Sequence, residues 1–227
     1  MKAKLMGYTQ VMPGTFIGID NLQDFVAYCA RVSNPTNQMN SDTAEKLIKY
    51  LIKHKHWSPL EMVSATMEIE TTRDIARQLL RHRSFSFQEF SQRYADPTKD
   101  LEFETREARL QDPKNRQNSI PVDPADEKHR RINEEFRMKQ LELIRKTKEL
   151  YNWAIDKGIA KEQARAILPE GNTISRLYVN GTLRSWIHYI ELRSGNGTQQ
   201  EHAELALAVA EVIAKIFPLS EQYIAKE

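Results

Sequence analysis

Hydrophobic residues recur at helical spacing along most of the chain. In the segment that opens at Ser41-Asp42, for example, Leu47, Ile48 and Leu51 fall on one face of a helix. The same spacing predicts six further helices. The first runs from a cap at Asp20 to about Arg31, and the second from a cap at Thr72 through Leu79 and Leu80 to Arg81. A long helix ends at about Lys157, a short one ends near Leu168-Pro169, and the last two cover 182–193 and 199–216. Helices therefore dominate the predicted secondary structure.

A period of two replaces the helical spacing in one place. From Val63 to Glu70 apolar and polar residues alternate, which predicts a half-buried strand. Residues 1–18 predict one or two more strands, and 173–180 another. Strands and helices do not alternate regularly, so the pattern favours the α+β class, with an antiparallel or mixed sheet packed with long helices in one domain spanning 1–227.

A polar segment at about 95–124 contains four prolines and predicts a long surface excursion. Loops of that length are usually functional or mobile, so we expect this segment to be a mobile cover of the functional site. The long helix after it has a predicted buried stripe that includes Ile132, Phe136, Leu143, Ile144, Tyr151 and Ile155.

Composition narrows the class of protein. A chain of 227 residues with 40% hydrophobic and 28% charged residues is typical of a globular enzyme and excludes a largely disordered chain. No apolar run approaches a membrane span, and the first residues lack a secretory signal, so we expect no membrane partner. Cys29 is the one cysteine, which fits the reducing cytoplasm. A net charge of +2 argues against a nucleic-acid partner.

The positive charge is nevertheless concentrated. Residues 73–93 contain five arginines against Asp74 and Glu89, a local net charge of +3. A guanidinium can hold a phosphate or carboxylate through two parallel hydrogen bonds, although cations also suit the end of a helix. This segment predicts a site for an anionic ligand.

Other chemistry in the sequence has less support. His54, His56 and His82 lack the spacing of metal ligands, so no metal is predicted. Serines 84, 86 and 91 have no triad around them, which favours hydrogen bonding over a nucleophilic role. Phe85, Phe87 and Phe90 could stack on nucleobases or pack into the core. No glycine-rich phosphate loop is present.

Arg81-His82-Arg83, followed after seven residues by Ser91, resembles the signature of flavin-dependent thymidylate synthases. Four other segments resemble the family in the same order, namely Ala30–Ser33, His56–Glu61, Ala164–Pro169, and Arg184 to Arg193 with Gln199. The stretches 54–58, 87–94 and 114–119 are most similar to members from large DNA viruses.

The resemblance implies reductive methylation of dUMP to dTMP. Methylenetetrahydrofolate would supply the carbon and NADPH the hydride, through bound FAD, in a homotetramer whose active sites are shared between subunits. The compartment would be the cytoplasm, that of the host if the chain is viral. Two other interpretations remain, a nucleic-acid-binding module and a catalytically silent relative that serves as a flavin-binding or assembly protein.

The family's functional positions can be carried over residue by residue. The residues expected to contact FAD are Ser33, Ser58, Glu61, Arg81, His82, Arg83, Ser84, Glu89, Thr182, Arg184, His188 and Gly197. The residues expected to hold dUMP are Gln78, Arg81, Glu89, Ser91, Gln92, Arg93, Arg165 and Arg193. Catalytic roles would fall to Arg81, Ser91 and Arg193. Many family members carry histidine where this chain has Gly197, and asparagine where it has Thr182 and His188.

The mechanism implied by the resemblance depends on Arg193. A guanidinium that faces a uracil oxygen stabilises the negative charge that develops when C6 gains hydride. The other class of thymidylate synthase adds a cysteine thiolate to C6. The only candidate for that role, Cys29, lies on the apolar face of a predicted helix, where a thiol is normally inert.

Overall fold

The structure, a computed structural model, describes residues 1–12, 18–19, 21–195 and 197–224. The chain divides into two compact units, each assembled from separate stretches of sequence. The first comprises Met1–Ile69, His82–Gln88 and Tyr178–Glu227, and the second Glu70–Arg81 and Glu89–Leu177. Within the described ranges, no helix is long and apolar enough to cross a membrane.

The strands and helices that the sequence pattern predicts follow in the predicted order, and the structure adds strands at 86–89, 109–111 and 119–121 and a short helix at 97–100, which the pattern did not predict. The strands are β1 (Lys2–Tyr8), β2 (Ser64–Thr72), β3 (Ser86–Glu89), β4 (Arg109–Gln111), β5 (Ser119–Pro121) and β6 (Ile174–Thr182). The α-helices are α1 (Leu22–Ala30), α2 (Ala44–Lys53), α3 (Arg73–Leu79), α4 (Pro97–Asp100), α5 (Glu127–Asp156), α6 (Lys161–Ala164), α7 (Leu183–Arg193) and α8 (Gln200–Ala214). The α+β class is confirmed.

A four-stranded sheet, in the order β1-β2-β6-β3, is the main β structure. In β2, Ala65, Met67 and Ile69 are buried and the residues between them are half-buried, so the predicted period of two is confirmed. The indole of Trp186 on α7 donates a hydrogen bond to the Ala65 carbonyl at 3.2 Å, which fixes α7 against β2. β6 confirms the strand predicted at 173–180.

Helix starts differ slightly from the prediction. Asn21 caps α1 by accepting from the amide of Asp24, whereas the predicted cap, Asp20, lies outside the described residues. The second helix begins at Ala44 after Thr43, two residues later than expected. Thr72 has the backbone conformation of a cap for α3, but its hydroxyl accepts from the Arg106 guanidinium at 2.8 Å and makes no cap bond. Leu80 is half-buried, not buried, because α3 ends before it.

The prediction for the long helix was right in length and partly wrong in orientation. In α5 the buried positions are Gln140, Ile144, Thr147, Tyr151 and Ala154. Phe136 and Leu143 are 44% and 46% exposed, because they lie on a side of the helix that no other described element covers. Around Tyr151, the core of the second unit is completed by Ala154, Ala164 and Leu168.

The segment at 95–124 has structure of its own. It contains the short helix α4 and an antiparallel hairpin of β4 and β5, in which Leu110 pairs with Ile120. Asp96 caps α4 by accepting from the amide and hydroxyl of Thr98, at 2.9 and 2.7 Å. The expectation that this segment covers the functional site stays a prediction.

Candidate functional site

Arg193 and His82 are hydrogen-bonded to each other in the first unit. Arg193 is the last residue of α7, and its Nε donates to Nε2 of His82 at 2.9 Å. The imidazole of His82 is also in edge-on contact with the ring of Tyr189, one turn earlier on α7, at a centroid distance of 5.1 Å. His82 therefore fixes the direction of the Arg193 guanidinium, and the two Nη groups remain available for other acceptors.

This environment keeps His82 neutral. Burial, and then the charge of Arg193, lower the pKa of His82 from 6.5 to about 4. The same two causes, with a smaller contribution from His82, lower the pKa of the buried His202 to about 3. A protonated His82 would have no lone pair at Nε2, so the hydrogen bond from Arg193 requires the neutral form.

The start of α7 positions a second group of predicted residues. Thr182 is the N-cap and accepts a hydrogen bond from the amide of Ser185 at 3.3 Å. Arg184, in the first turn, forms an ion pair with Glu61. The Ser185 hydroxyl donates to the carbonyl of Ser84 at 3.2 Å. Glu61, Ser84, Thr182 and Arg184 are thus connected through one helix terminus, and Ser58 begins the 3₁₀ helix that contains Glu61.

His188 and Ser33 line two different cavities of the first unit. His188 meets Trp57 edge to face at 4.2 Å and lines a cavity of about 430 Å³. Burial, and then the charge of Arg184, lower its pKa. Ser33 lines a cavity of about 540 Å³ together with Arg31 and Tyr50. Gly197 has φ +86°, a conformation that favours glycine over residues with a Cβ atom.

Glu89 is the best-anchored member of the predicted nucleotide set. Its carboxylate accepts from the hydroxyl of Ser175 at 2.8 Å and from the guanidinium of Arg73 at 3.4 Å. Ser175 lies on β6 and is 1% exposed. A buried hydroxyl and a partly buried guanidinium therefore hold this carboxylate in the second unit.

The remaining nucleotide residues in the second unit lie on α3, directly after β3 or at the start of a 3₁₀ helix. Gln92 is 4% exposed, and the Ser91 hydroxyl accepts from the amide of Arg93 at 3.4 Å. Arg93 forms an exposed ion pair with Glu162 at 3.3 Å. Arg165 is exposed at the start of the 3₁₀ helix Arg165–Ile167, and Gln78 is half-buried on α3.

The two predicted sets fall largely in different units. Apart from Arg81 and Glu89, every residue expected to contact FAD belongs to the first unit. Apart from Arg193, every residue expected to hold dUMP belongs to the second. The chain passes from the second unit to the first between Arg81 and His82, inside the motif that predicted the site.

Alternative roles for several residues can now be assessed. Phe85 packs in the core, because it is 7% exposed and its ring centroid lies 4.4 Å from that of Trp186. Burial raises the pKa of the Cys29 thiol, which disfavours a thiolate nucleophile. Within the described part of the chain, no group of three or more His, Cys, Asp or Glu side chains is arranged to hold a metal ion.

Sequence patterns did not predict the orienting role of three residues, although one of them, Arg73, is among the five arginines of residues 73–93. Ser175 and Arg73 hold Glu89, and Arg106 holds Asp74 of α3 at 2.7 Å. Arg106 lies within the polar segment at 95–124, where Lys99, Arg109, Lys114 and Arg116 carry the same charge, so no sequence signal distinguishes it. Ser175 occupies a buried position of a strand, where a hydroxyl needs a partner, and that was the available signal.

Comparison with known proteins defines the class. The family model described as "Thymidylate synthase complementing protein" matches residues 18–219. The fold is similar to that of the UMP/dUMP methylase PolB from Streptomyces cacaoi bound with 5-Br dUMP, with a TM-score of 0.75 and 24% sequence identity over 98% of this chain and 93% of that one.

Individual relatives identify the family. The chain is 50% identical over 221 residues to the "Probable flavin-dependent thymidylate synthase" of Paramecium bursaria Chlorella virus 1, and covers 96% of both sequences. It is 52% identical over 196 residues to the "Flavin-dependent thymidylate synthase" of Synechocystis, covering 86% of each. The chain belongs to the flavin-dependent thymidylate synthase family, which confirms the resemblance seen in its motifs, including the similarity to a viral member.

Proposed function

We propose that this chain converts dUMP to dTMP by reductive methylation, with FAD as cofactor, methylenetetrahydrofolate as carbon donor and NADPH as reductant. One observation about the molecule carries the proposal beyond family membership. Arg81, Arg83 and Arg165 are exposed, and none of them forms an ion pair with a described residue. Exposed guanidiniums that have no carboxylate partner are suited to the phosphates of nucleotides.

The residues of the first unit fit a bound FAD. Arg83, together with Arg81 two residues before it in the chain, would hold its diphosphate, and the ring of His188 offers an aromatic contact beside Trp57. The ion pair of Glu61 with Arg184 would orient the latter toward the cofactor. FAD, when bound, supplies the redox chemistry of the reaction.

For dUMP, the second unit supplies phosphate-binding and base-binding groups. Arg93 and Arg165 would bind the phosphate, and Gln78, Ser91 and Gln92 would add hydrogen bonds to the nucleotide. Glu89 would accept from a nucleotide hydroxyl or amide, because Ser175 and Arg73 already fix its position. An anchored carboxylate loses little conformational entropy when its ligand binds.

Arg193 would lower the barrier of the chemical step. Negative charge develops on a uracil carbonyl oxygen when C6 gains hydride, and a guanidinium that is fixed before the reaction stabilises that charge without reorganisation. Because His82 accepts a hydrogen bond from Nε of Arg193, the Nη groups can be directed at the oxygen. Ser91 and Arg81 would complete the contacts at the reacting base.

The apolar side of α5 supports the homotetramer with shared active sites that the family resemblance implies. Phe136, Leu143, Leu150 and Trp153 lie at seven- and three-residue intervals and are 44–54% exposed. Such a stripe is suited to burial against another copy of the chain. We expect Leu143→Lys to reduce the mass of the particle in solution, measured by light scattering, whereas Lys146→Ala should not.

The single cysteine supports the cytoplasm as the compartment.

The test is the reaction itself. The purified protein should show the visible absorbance of bound flavin, and it should form dTMP from dUMP only when methylenetetrahydrofolate and NADPH are both supplied. Flavin retention without dTMP formation would favour a silent relative. Tight binding of DNA that weakens steeply with salt, without flavin, would favour a nucleic-acid-binding module.

A further inference from the structure

A cavity of about 430 Å³ in the first unit combines cationic and aromatic side chains. Its lining includes Lys53, Lys55, Trp57, His188, Glu191 and Tyr223. His188 belongs to the set expected to contact FAD, whereas the two lysines, Glu191 and Tyr223 have no role in the function proposed above. The cavity therefore extends from a candidate flavin contact to groups whose purpose is unexplained.

Charge in this cavity favours an anion. Neither Lys53 nor Lys55 forms an ion pair within the described part of the chain. The single carboxylate of the lining, Glu191, acts together with burial on the Tyr223 phenol, whose pKa rises to about 12. Burial lowers the pKa of His188, so its ring is neutral at physiological pH. Two lysines against one carboxylate leave the lining with a net charge of +1.

The backbone at Lys55 gives an independent reason to assign its side chain a function. α2 ends with the amide of Lys55 bonded to the Ile52 carbonyl at 3.0 Å and the amide of His56 bonded to the Leu51 carbonyl at 2.8 Å. This helix ending places Lys55 at φ +59°, where glycine is the usual residue. Among the described residues, Lys55 is the only one other than glycine with positive φ. A lysine in this conformation makes the folded protein less stable than a glycine would. A function of the lysine ammonium group would explain why it is present.

We propose that Lys53 and Lys55 form an anion-binding site that holds the carboxylate or phosphate end of a co-substrate beside Trp57 and His188. The inference rests on the proposed function, which names two co-substrates with such groups. Methylenetetrahydrofolate carries carboxylates on its glutamate, and NADPH carries a 2′-phosphate that NADH lacks. Either end would occupy the lysine side of the cavity and leave the ring system of the ligand near His188.

The experiment exploits the unusual backbone at Lys55. Lys55→Gly removes the ammonium group and relieves the left-handed conformation, so the melting temperature should stay equal or rise by roughly 2 to 4 °C. Lys55→Asn removes the charge with a residue that also tolerates this conformation, and Lys55→Arg keeps the charge. Lys49→Ala, on α2 but outside the cavity, controls for the loss of one positive charge.

Equilibrium titration of the flavin-loaded protein with each co-substrate gives the readout. We expect Lys55→Gly and Lys55→Asn to weaken binding of one co-substrate about tenfold, the order of one charge-assisted hydrogen bond, and Lys55→Arg to restore most of it. Weaker binding of methylenetetrahydrofolate alone identifies the carboxylate as the ligand. Weaker binding of NADPH with unchanged binding of NADH identifies the 2′-phosphate.

Two negative results have different meanings. If wild type and Lys55→Gly bind both co-substrates equally well, the anion site is refuted while the proposed function stands. If wild type binds neither co-substrate and forms no dTMP, the proposed function fails. A tenfold loss in Lys49→Ala as well would attribute the effect to the overall charge of the protein and would also refute the site.

Discussion

The hydrogen bond between Arg193 and His82 gives a sharp test of the mechanism. His82→Ala removes the acceptor for Nε of Arg193, and His82→Gln replaces it with a neutral amide oxygen of similar reach. A hydrogen bond from a charged donor contributes about 1.5 to 3 kcal/mol. If that energy serves to direct the guanidinium in the transition state, His82→Ala should slow the chemical step roughly 10- to 150-fold, since about 1.36 kcal/mol corresponds to a factor of ten.

The assay is single-turnover formation of dTMP by protein with a measured content of bound flavin. His82→Gln should recover most of the rate that His82→Ala loses, and flavin content should change much less than the rate in both variants. A double variant with Arg193→Ala should be no slower than Arg193→Ala alone, because His82 acts through Arg193. Equal rates for the Ala and Gln variants, or additive losses in the double variant, would refute the positioning role.

Four further predictions use other contacts. As pH falls from 6.5 toward 4, His82 and His202 become protonated in the unfolded chain before they do in the folded protein. The free energy of unfolding, measured by urea titration, should therefore fall by at most about 1.4 kcal/mol per pH unit for each of the two histidines. Gly181→Ala should destabilise by about 1 to 3 kcal/mol, because its new Cβ would lie 2.2 Å from Cδ1 of Phe85, whereas Gly7→Ala meets nothing within 4 Å and should not. Ser175→Ala should weaken dUMP binding about tenfold in a direct titration, since Glu89 loses its 2.8 Å hydrogen bond. Cys29→Ala should leave dTMP formation unchanged, because a thiol whose pKa is raised by burial is not the nucleophile, and a loss of rate in folded protein would contradict this.

Local periodicity was sufficient to predict most of the fold. The alternation in β2 and the helical spacing in α2, α7 and α8 largely follow burial, because most apolar residues there pack into the core; the exceptions are Tyr50, Leu192 and Leu207, which are 52%, 60% and 40% exposed. Periodicity failed where an apolar residue had no partner in the chain. Phe136 and Leu143 satisfy the spacing of a buried stripe, yet about half of each side chain is exposed. A pattern identifies which residues share a face of a helix and does not reveal what covers that face.

For the candidate site, motifs predicted the residues and the structure supplied their connections. The bond between Ser175 and Glu89 joins positions 86 residues apart, and that between Arg193 and His82 joins positions 111 apart. No spacing rule reaches across such separations, because topology decides which strand or helix lies alongside another. The sequence therefore predicted an anionic ligand at residues 81–93 but not which side chains hold Glu89 or direct Arg193.

The connection to Arg193 explains the residue type at the centre of the arginine motif. A lysine or arginine at position 82 could only donate hydrogen bonds and would repel Arg193. Histidine can accept when neutral, and the burial and positive field that Arg193 itself supplies lower the His82 pKa to about 4 and so keep it neutral. The charge of Arg193 thus helps to keep His82 neutral, and the neutral His82 in turn accepts the hydrogen bond that orients Arg193. Arg81 and Arg83 remain exposed cations on either side. Under the proposed function these two would bind phosphate, whereas the neutral His82 between them positions the guanidinium of Arg193.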